Sequence, residues 1–297
     1  MIKDLCKNAK SAKAAMSVLP TIKKNKILMA VADGLIKEQD SIIAANAIDL
    51  EEGKKNGLSE ALLDRLTLTE ARIEAMAESL LTIAGFPDPI GEIVEGFNTE
   101  SGLKIEKVRS ALGVVAIIYE SRPNVTIDAA GLCLKASNVA ILRGSSAAIH
   151  SNKVLADLFR RIGQANGMPD YAVQLVEDVS HERLDELIKE DAYIDVLIPR
   201  GGEGLKQAMK EKSSIPIIMT GAGTCHIYVD ESAVEEQAIP IILNAKTQRP
   251  GTCNSVECVL LHKNKIPFLA ELVEELLENE VKVNLSKVLY DKLPDNL

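Results

Sequence analysis

Cys253 stands in the run Lys246-Thr247-Gln248-Arg249-Pro250-Gly251-Thr252-Cys253-Asn254, a loop-forming stretch with two cations close to the sulfur in sequence. Cations near a thiol lower its pKa and enrich the nucleophilic thiolate, whereas the same thiol in an apolar core is inert. Four further cysteines stand at 6, 133, 225 and 258. Cys133 falls on an apolar helix face and Cys258 inside an apolar strand run, where free cysteine behaves as a small core residue. Cys225 precedes a strand and its role stays open. By its surroundings Cys253 is the best candidate for a covalent nucleophile, with an ordinary loop cysteine as the alternative. An odd number of cysteines without a C-x-x-C pair, and histidines outside metal-ligand spacing, point to free thiols and no structural metal.

Two glycine-rich turns could handle phosphate. Arg143-Gly144-Ser145-Ser146 follows one apolar run, and Pro199-Arg200-Gly201-Gly202-Glu203-Gly204 follows another and opens a helical stretch. Glycines let the backbone approach a ligand, and N–H groups at a helix N-terminus favour phosphate oxygens. Neither turn is a G-x-G-x-x-G fingerprint or a P-loop, so tight turn and phosphate site both remain open for each.

The elements that must position these residues follow from periodicity. From Ile2 to about Ala84 apolar residues recur at helical spacing, as in Ile27, Val31, Leu35 and Ile36. Residues 92–108 alternate apolar and polar around a turn, the pattern of a β-hairpin that needs a surface to lie on. Beyond Ser110 the spacing predicts strands over Leu112–Tyr119, Val139–Leu142, Val173–Val176, Asp195–Ile198 and Ile215–Met219, with helices over 125–136, 147–166, 181–190 and 203–212. Runs apolar on both faces and alternating with helices predict a doubly wound parallel α/β sheet, with its ligand crevice at the carboxyl ends of the strands. A strand over His226–Asp230, a helix over Val234–Ala245 and a strand over Val256–Leu261 follow. The boundary between two lobes is set at 225/226.

Composition narrows the partners. The 297 residues are 46% apolar and 26% charged, the range of a globular protein of two ordinary domains. A formal charge of −9 without a basic patch disfavours nucleic acid and anionic lipid. The apolar runs are far shorter than the ~20 residues that span a bilayer, and the N-terminal residues lack a signal-peptide core. A cytoplasmic protein acting on a small molecule, with no nucleic-acid or membrane partner, is expected.

The segments Tyr119-Glu120-Ser121-Arg122-Pro123-Asn124-Val125-Thr126-Ile127-Asp128, Ile141-Leu142-Arg143-Gly144, Ile198-Pro199-Arg200-Gly201-Gly202, Cys225-His226-Ile227-Tyr228-Val229-Asp230 and Asn244-Ala245-Lys246-Thr247-Gln248-Arg249-Pro250 together resemble γ-glutamyl phosphate reductase, the glutamate-5-semialdehyde dehydrogenase of proline biosynthesis. Asn56-Gly57-Leu58-Ser59 through Leu62, Asp64, Arg65 and Leu66 belong to the same resemblance. It runs in order to about residue 262 and implies the aldehyde dehydrogenase fold. A doubly wound cofactor domain at 1–225 would carry the hairpin 92–108 as an oligomerisation arm, and 226–297 would begin an incomplete catalytic domain. The resemblance further implies Cys253 as nucleophile and Asn124 as side-chain donor to the oxyanion. Arg143 and Gly144 would lie near the adenosine ribose of NADP, Gly201 and Gly202 at the pyrophosphate, and Thr220 and Gly221 near the nicotinamide. Asn124 as a helix cap and Arg143 as a solvated strand-end charge are the plainer alternatives.

The implied reaction is reduction of γ-glutamyl phosphate by NADPH through a Cys253 thioester in a homo-oligomer. Hydrolytic relatives carry a glutamate where Met219 stands, and methionine is no general base, so phosphate rather than water is expected as acyl partner; core filling is the alternative for Met219. Beyond 262 the likeness weakens, and the ending Asp291-Lys292-Leu293-Pro294-Asp295-Asn296-Leu297 reads as a fragment's rather than a domain's. Rival readings are another phosphate- or CoA-dependent acylating semialdehyde dehydrogenase, and a non-catalytic remnant that binds cofactor or oligomerises.

Overall fold

A computed structural model describes residues 2–219, 223–250 and 252–294. The chain divides into two compact units, Met1–Thr220 and Gly221–Leu297. The division falls ahead of the boundary set at 225/226, because Cys225 already pairs with Val256 inside the second unit.

The first unit opens on α1 (Ile2–Ser17), α2 (Thr21–Lys37), α3 (Gln39–Lys55), α4 (Glu60–Leu66) and α5 (Glu70–Gly85). An antiparallel hairpin of β1 (Ile93–Asn98) and β2 (Lys104–Val108) follows, with Gly102 in its turn at φ 86°. Every residue of both strands is exposed, Ile93, Phe97, Ile105 and Val108 included. Its base is held by Asp88, which accepts from Thr21 Oγ1 at 2.5 Å and Ile90 N–H at 3.0 Å and pairs with the buried Lys24 ammonium at 2.5 Å. Burial pushes the Asp88 carboxyl up, but these bonds and the Lys24 charge together hold it below the ordinary carboxylate range.

The sheet comprises β3 (Val114–Tyr119), β4 (Val139–Arg143), β5 (Val173–Leu175) and β6 (Val196–Arg200), parallel and in the order β5-β4-β3-β6. All six residues of β3, Val-Val-Ala-Ile-Ile-Tyr, are buried, as expected of a central strand covered on both faces. Chain order moves outward from β3 to β5 through α6 (Asn124–Lys135) and α7 (Ile149–Ala165). It then returns through α8 (His181–Leu187) to lay β6 on the other side of β3, before α9 (Glu203–Lys212). Right-handed crossovers put α6 and α7 on one face and α8 on the opposite one, where α1 packs against α8 and across β3, β4 and β5. The strand order reverses at β3/β6, the point at which a doubly wound sheet places a ligand crevice at the carboxyl ends of its strands.

A strand over Ile215–Met219 is the one sheet expectation corrected. The structure has only an isolated parallel bridge there, Leu197 to Ile217. Leu197 N–H donates to Pro216 O and Ile218 N–H to Leu197 O, both at 2.9 Å. Proline supplies no N–H of its own to extend the ladder.

The start of α7, just past the β4 edge, is satisfied from another helix. Asp49 of α3 is buried and accepts from His150 N–H at 3.1 Å, Ser151 N–H at 2.8 Å and Ser151 Oγ at 2.6 Å. These backbone donors are among those a helix N-terminus cannot pair internally. One turn earlier, Asn46 binds Leu66 O and Leu68 N–H, so α3 also fixes the segment after α4.

In the second unit, β7 (Cys225–Val229) runs through α10 (Glu235–Thr247) into β8 (Val256–Leu261), parallel to β7. Then come α11 (Leu269–Glu278) and α12 (Lys287–Tyr290). Val229, Ile239, Ile242, Phe268, Leu272 and Leu276 form its core. No described helix is long and apolar enough to cross a membrane.

Asp49→Ala should lower unfolding stability by about 3 kcal/mol, since buried donors lose their acceptor. The check is the urea midpoint of the 297-residue chain against the parent; an unmoved midpoint would mean that α7 finds other acceptors.

Candidate active site

The two glycine-rich turns singled out in the sequence and the turn after β3 meet at one edge of the first unit's sheet. The register pairs Ile118 with Arg143 and Tyr119 with Arg200, so the turns after β3, β4 and β6 lie side by side. Asn124, Arg143, Gly144, Gly201 and Gly202 are thereby gathered along the crevice edge. Thr220 and Gly221 lie outside the described residues.

Asn124 is the first residue of α6, and Pro123 occupies the cap position, so the side chain of Asn124 does not cap the helix. Its Nδ2 donates to Asp128 Oδ2 at 2.9 Å, while Asp128 Oδ1 accepts from Ser79 Oγ at 3.0 Å. An amide nitrogen carries two hydrogens. Asp128 holds one of them and thereby sets the direction of the other.

Arg143 ends β4 half-buried and donates from Nη2 to Val179 O. Its buried Nε–H has no hydrogen-bond partner among the described residues. Burial pushes the guanidinium pKa down from its ordinary value. The reading of Arg143 as a solvated charge is therefore corrected: it is a partly desolvated cation with an unused donor. Gly144 has a packing reason to be glycine, since a Cβ there would lie 2.2 Å from Asn152 Nδ2 and 3.2 Å from Tyr119 Cε2.

Gly202 caps α9, and its N–H donates to Glu120 Oε1 at 2.9 Å. A Cβ on Gly201 would meet the same oxygen at 2.7 Å. The turn does hold an anion at a helix N-terminus, and that anion is the protein's own carboxylate. Reasoning from motifs missed Glu120. The available signal was a charged residue directly after the fully apolar run Val114–Tyr119.

In the second unit Cys253 lies in a turn between α10 and β8 and is exposed. Thr252 closes the turn, donating from N at 3.1 Å and from Oγ1 at 2.8 Å to Arg249 O. The Lys246 ammonium, expected near the thiol, instead donates to Val256 O at 2.9 Å. Cys225 begins β7 rather than preceding it, and its thiol donates to Cys253 O at 3.4 Å. Cys258 is only half-buried, because one face of the two-stranded sheet is open: Tyr228 and Leu260 on that face are exposed. Met219 is exposed too, so core filling does not explain it. Among the described residues no group of three or more His, Cys, Asp or Glu could hold a metal ion.

The five thiols are ranked by these surroundings. Burial pushes those of Cys6 and Cys133 up to about 12, whereas Cys253 alone is exposed. Iodoacetamide on the folded chain should therefore alkylate Cys253 at least ~10-fold faster than Cys6 or Cys133. Peptide mass spectrometry over time reads this directly, and equal rates would remove the distinction.

Comparison with known proteins supplies the context. The model of the aldehyde dehydrogenase family matches residues 1–288. The chain is 51% identical over 293 residues to γ-glutamyl phosphate reductase of Campylobacter curvus, covering 97% of this chain and 66% of that protein. It is 46% identical over 288 residues to the Anoxybacillus flavithermus protein of the same name, covering 97% and 70%. The crystal structure of γ-glutamyl phosphate reductase from Thermotoga maritima superposes with a TM-score of 0.91 at 38% identity, over 98% of this chain and 70% of that one. The chain thus spans about two thirds of the length of these relatives.

Proposed function

We propose, from the premise that this chain belongs to the aldehyde dehydrogenase family and within it to the γ-glutamyl phosphate reductases, that the protein reduces γ-glutamyl 5-phosphate to glutamate 5-semialdehyde and phosphate in proline biosynthesis. The observation that carries the chemistry is the exposed Cys253 thiol in a chain whose other cysteines are buried or half-buried. NADPH is the reductant in this reading, and cytoplasm its location.

The Cys253 thiolate attacks the acyl carbon of the substrate, the acyl–phosphate bond breaks, and phosphate leaves with the electron pair. The acyl group is then a thioester on Cys253. A bound nicotinamide supplies the hydride that takes the thioester to the aldehyde level. As the hemithioacetal on Cys253 collapses, the thiolate is regenerated and the semialdehyde departs. The oxyanions formed on the way need donors fixed in advance, and the candidates are the free Asn124 amide hydrogen and the Cys253 backbone N–H. Met219 offers no carboxylate to activate water, so the thioester is spared hydrolysis.

The residues suit a dinucleotide. The unused Nε–H of Arg143, which ends β4 before Gly144, fits the ribose phosphate of NADP, and the N–H of Gly202, already bonded to a carboxylate, fits an anionic pyrophosphate. Gly201 adjoins it, and Thr220 and Gly221 serve the nicotinamide end. In this reading 1–225 binds cofactor, 226–297 begins the catalytic domain, and the exposed hairpin β1–β2 is the arm of a homo-oligomer.

In a chain extended to the length of the relatives, Cys253→Ser should abolish phosphate-dependent oxidation of glutamate 5-semialdehyde by NADP. Asn124→Ala should slow it by ~10²–10³ while cofactor still binds. Undiminished turnover by Cys253→Ser would overturn the reading, and turnover that requires CoA in place of phosphate would reassign the acyl acceptor.

Glu120 adds a test that needs no turnover. Removing its charge from the N-terminus of α9 with Glu120→Gln should tighten NADPH binding roughly fivefold, followed by nucleotide fluorescence. Unchanged or weaker binding would locate the pyrophosphate elsewhere.

A further inference from the structure

We infer that Cys225 and Cys253 form a reversible oxidation site, in which Cys225 captures an oxidised Cys253 as an intramolecular disulfide. The inference rests on the contact of the Cys225 thiol with the Cys253 backbone and does not require the reductase reading. The Cys225 thiol lies 3.4 Å from the carbonyl oxygen of Cys253. Standard bond lengths then put the Cys225 sulfur within ~6 Å of the Cys253 Cα. The two residues are therefore neighbours, and the turn that carries Cys253 adjusts to bring its sulfur to the ~2 Å of a disulfide bond. Cys253 sits in a turn ahead of β8, outside the strand ladder, so its backbone has room to adjust without breaking strand pairing.

The neighbouring Cys258 pairs with His226, and the register shifts between Cys225 and His226, so strand alternation does not separate it from Cys225 and the Cys258→Ser variant must make the distinction. Cys6 and Cys133 belong to the first unit, are buried, and have thiols pushed up to about 12, which leaves them inert bystanders.

The oxidant is a hydroperoxide. The Cys253 thiolate attacks its terminal oxygen, the O–O bond breaks, two electrons pass from sulfur to oxygen, and water or an alcohol leaves after protonation. Cys253 is then a sulfenic acid. The Cys225 thiol loses its proton, and its sulfur attacks the sulfenyl sulfur; the S–O bond breaks and hydroxide departs as water with that proton. A small dithiol reverses the bond. Without Cys225 the sulfenic acid would continue to sulfinic and sulfonic acid, which a dithiol cannot repair.

The test treats the 297-residue chain with stoichiometric hydrogen peroxide, blocks free thiols and digests it with trypsin. The expected product joins the peptide 213–246, which carries Cys225, to the peptide 247–263, which carries Cys253 and Cys258, with loss of two hydrogens and full reversal by dithiothreitol. Cys258→Ser should retain the linked species. Cys225→Ser and Cys225→Ala, each with an unchanged far-ultraviolet dichroism spectrum, should lose it and accumulate sulfinic acid on Cys253. A linked species that disappears in Cys258→Ser, or that never forms in the parent protein, would overturn the inference. So would sulfinic acid on Cys253 in the parent protein without a linked intermediate.

Discussion

The first unit's site depends on a chain of buried hydrogen bonds that ties the end of the central strand to the two helices beside it. Thr126 Oγ1 donates its one hydrogen to Asn152 Oδ1 at 2.9 Å, so the Tyr119 hydroxyl, 2.7 Å away, must be the donor to Thr126. All three side chains are buried, and burial pushes the Tyr119 phenol well above its ordinary pKa. The chain runs from the last residue of β3 through the first turn of α6 to the first turn of α7. Asn124 lies two residues before Thr126, and Gly144 packs on both Tyr119 and Asn152. A shift of any one member would therefore move the helix start that carries Asn124. The arrangement leaves Asn152 Nδ2 without a hydrogen-bond partner among the described residues, a cost of about 1–3 kcal/mol that the surrounding packing must offset.

The second unit positions its chemistry by different means. Its sulfur sits at the amino ends of β7 and β8, in a turn after the C-terminus of α10. A helix C-terminus disfavours an anion, but the effect fades within a turn, and Cys253 stands beyond it. Lys246, the nearer cation in sequence among the helical residues, is spent on the carbonyl of Val256 and thereby fixes where β8 begins. That bond fixes the start of β8 rather than stabilising the thiolate, so what this unit provides is an accessible sulfur in a turn ahead of a fixed strand.

How much of this was legible in the sequence depends on the length scale of each signal. The parallel sheet and its helices were legible, because a strand such as Val114–Tyr119 is apolar at every position and that pattern has few alternatives. The strand expected over Ile215–Met219 failed, since apolar content cannot reveal that Pro216 interrupts a ladder. Cys258 was read as core from its own run; whether that face of β8 is covered is set by what packs on it, which no local pattern reports. The direction of a side chain was least legible of all. Asn124 bonding forward to Asp128, and Lys246 turning to a carbonyl, are choices among nearby partners that only the folded backbone decides.

Glu120 illustrates why such choices matter for chemistry. The N–H groups at the start of α9 need an acceptor whether or not a ligand is present, because unsatisfied donors at a helix end are unfavourable. A carboxylate at the end of the central strand meets that need at 2.9 Å. Binding of a phosphate there, as proposed, would exchange one anion for another, and its free energy would be the difference between the two partners rather than the full strength of the new one. The Gly202 N–H would keep an acceptor in both states. The exchange also couples ligand arrival to the segment 120–124, since the carboxylate that must yield lies four residues ahead of the amide at the start of α6.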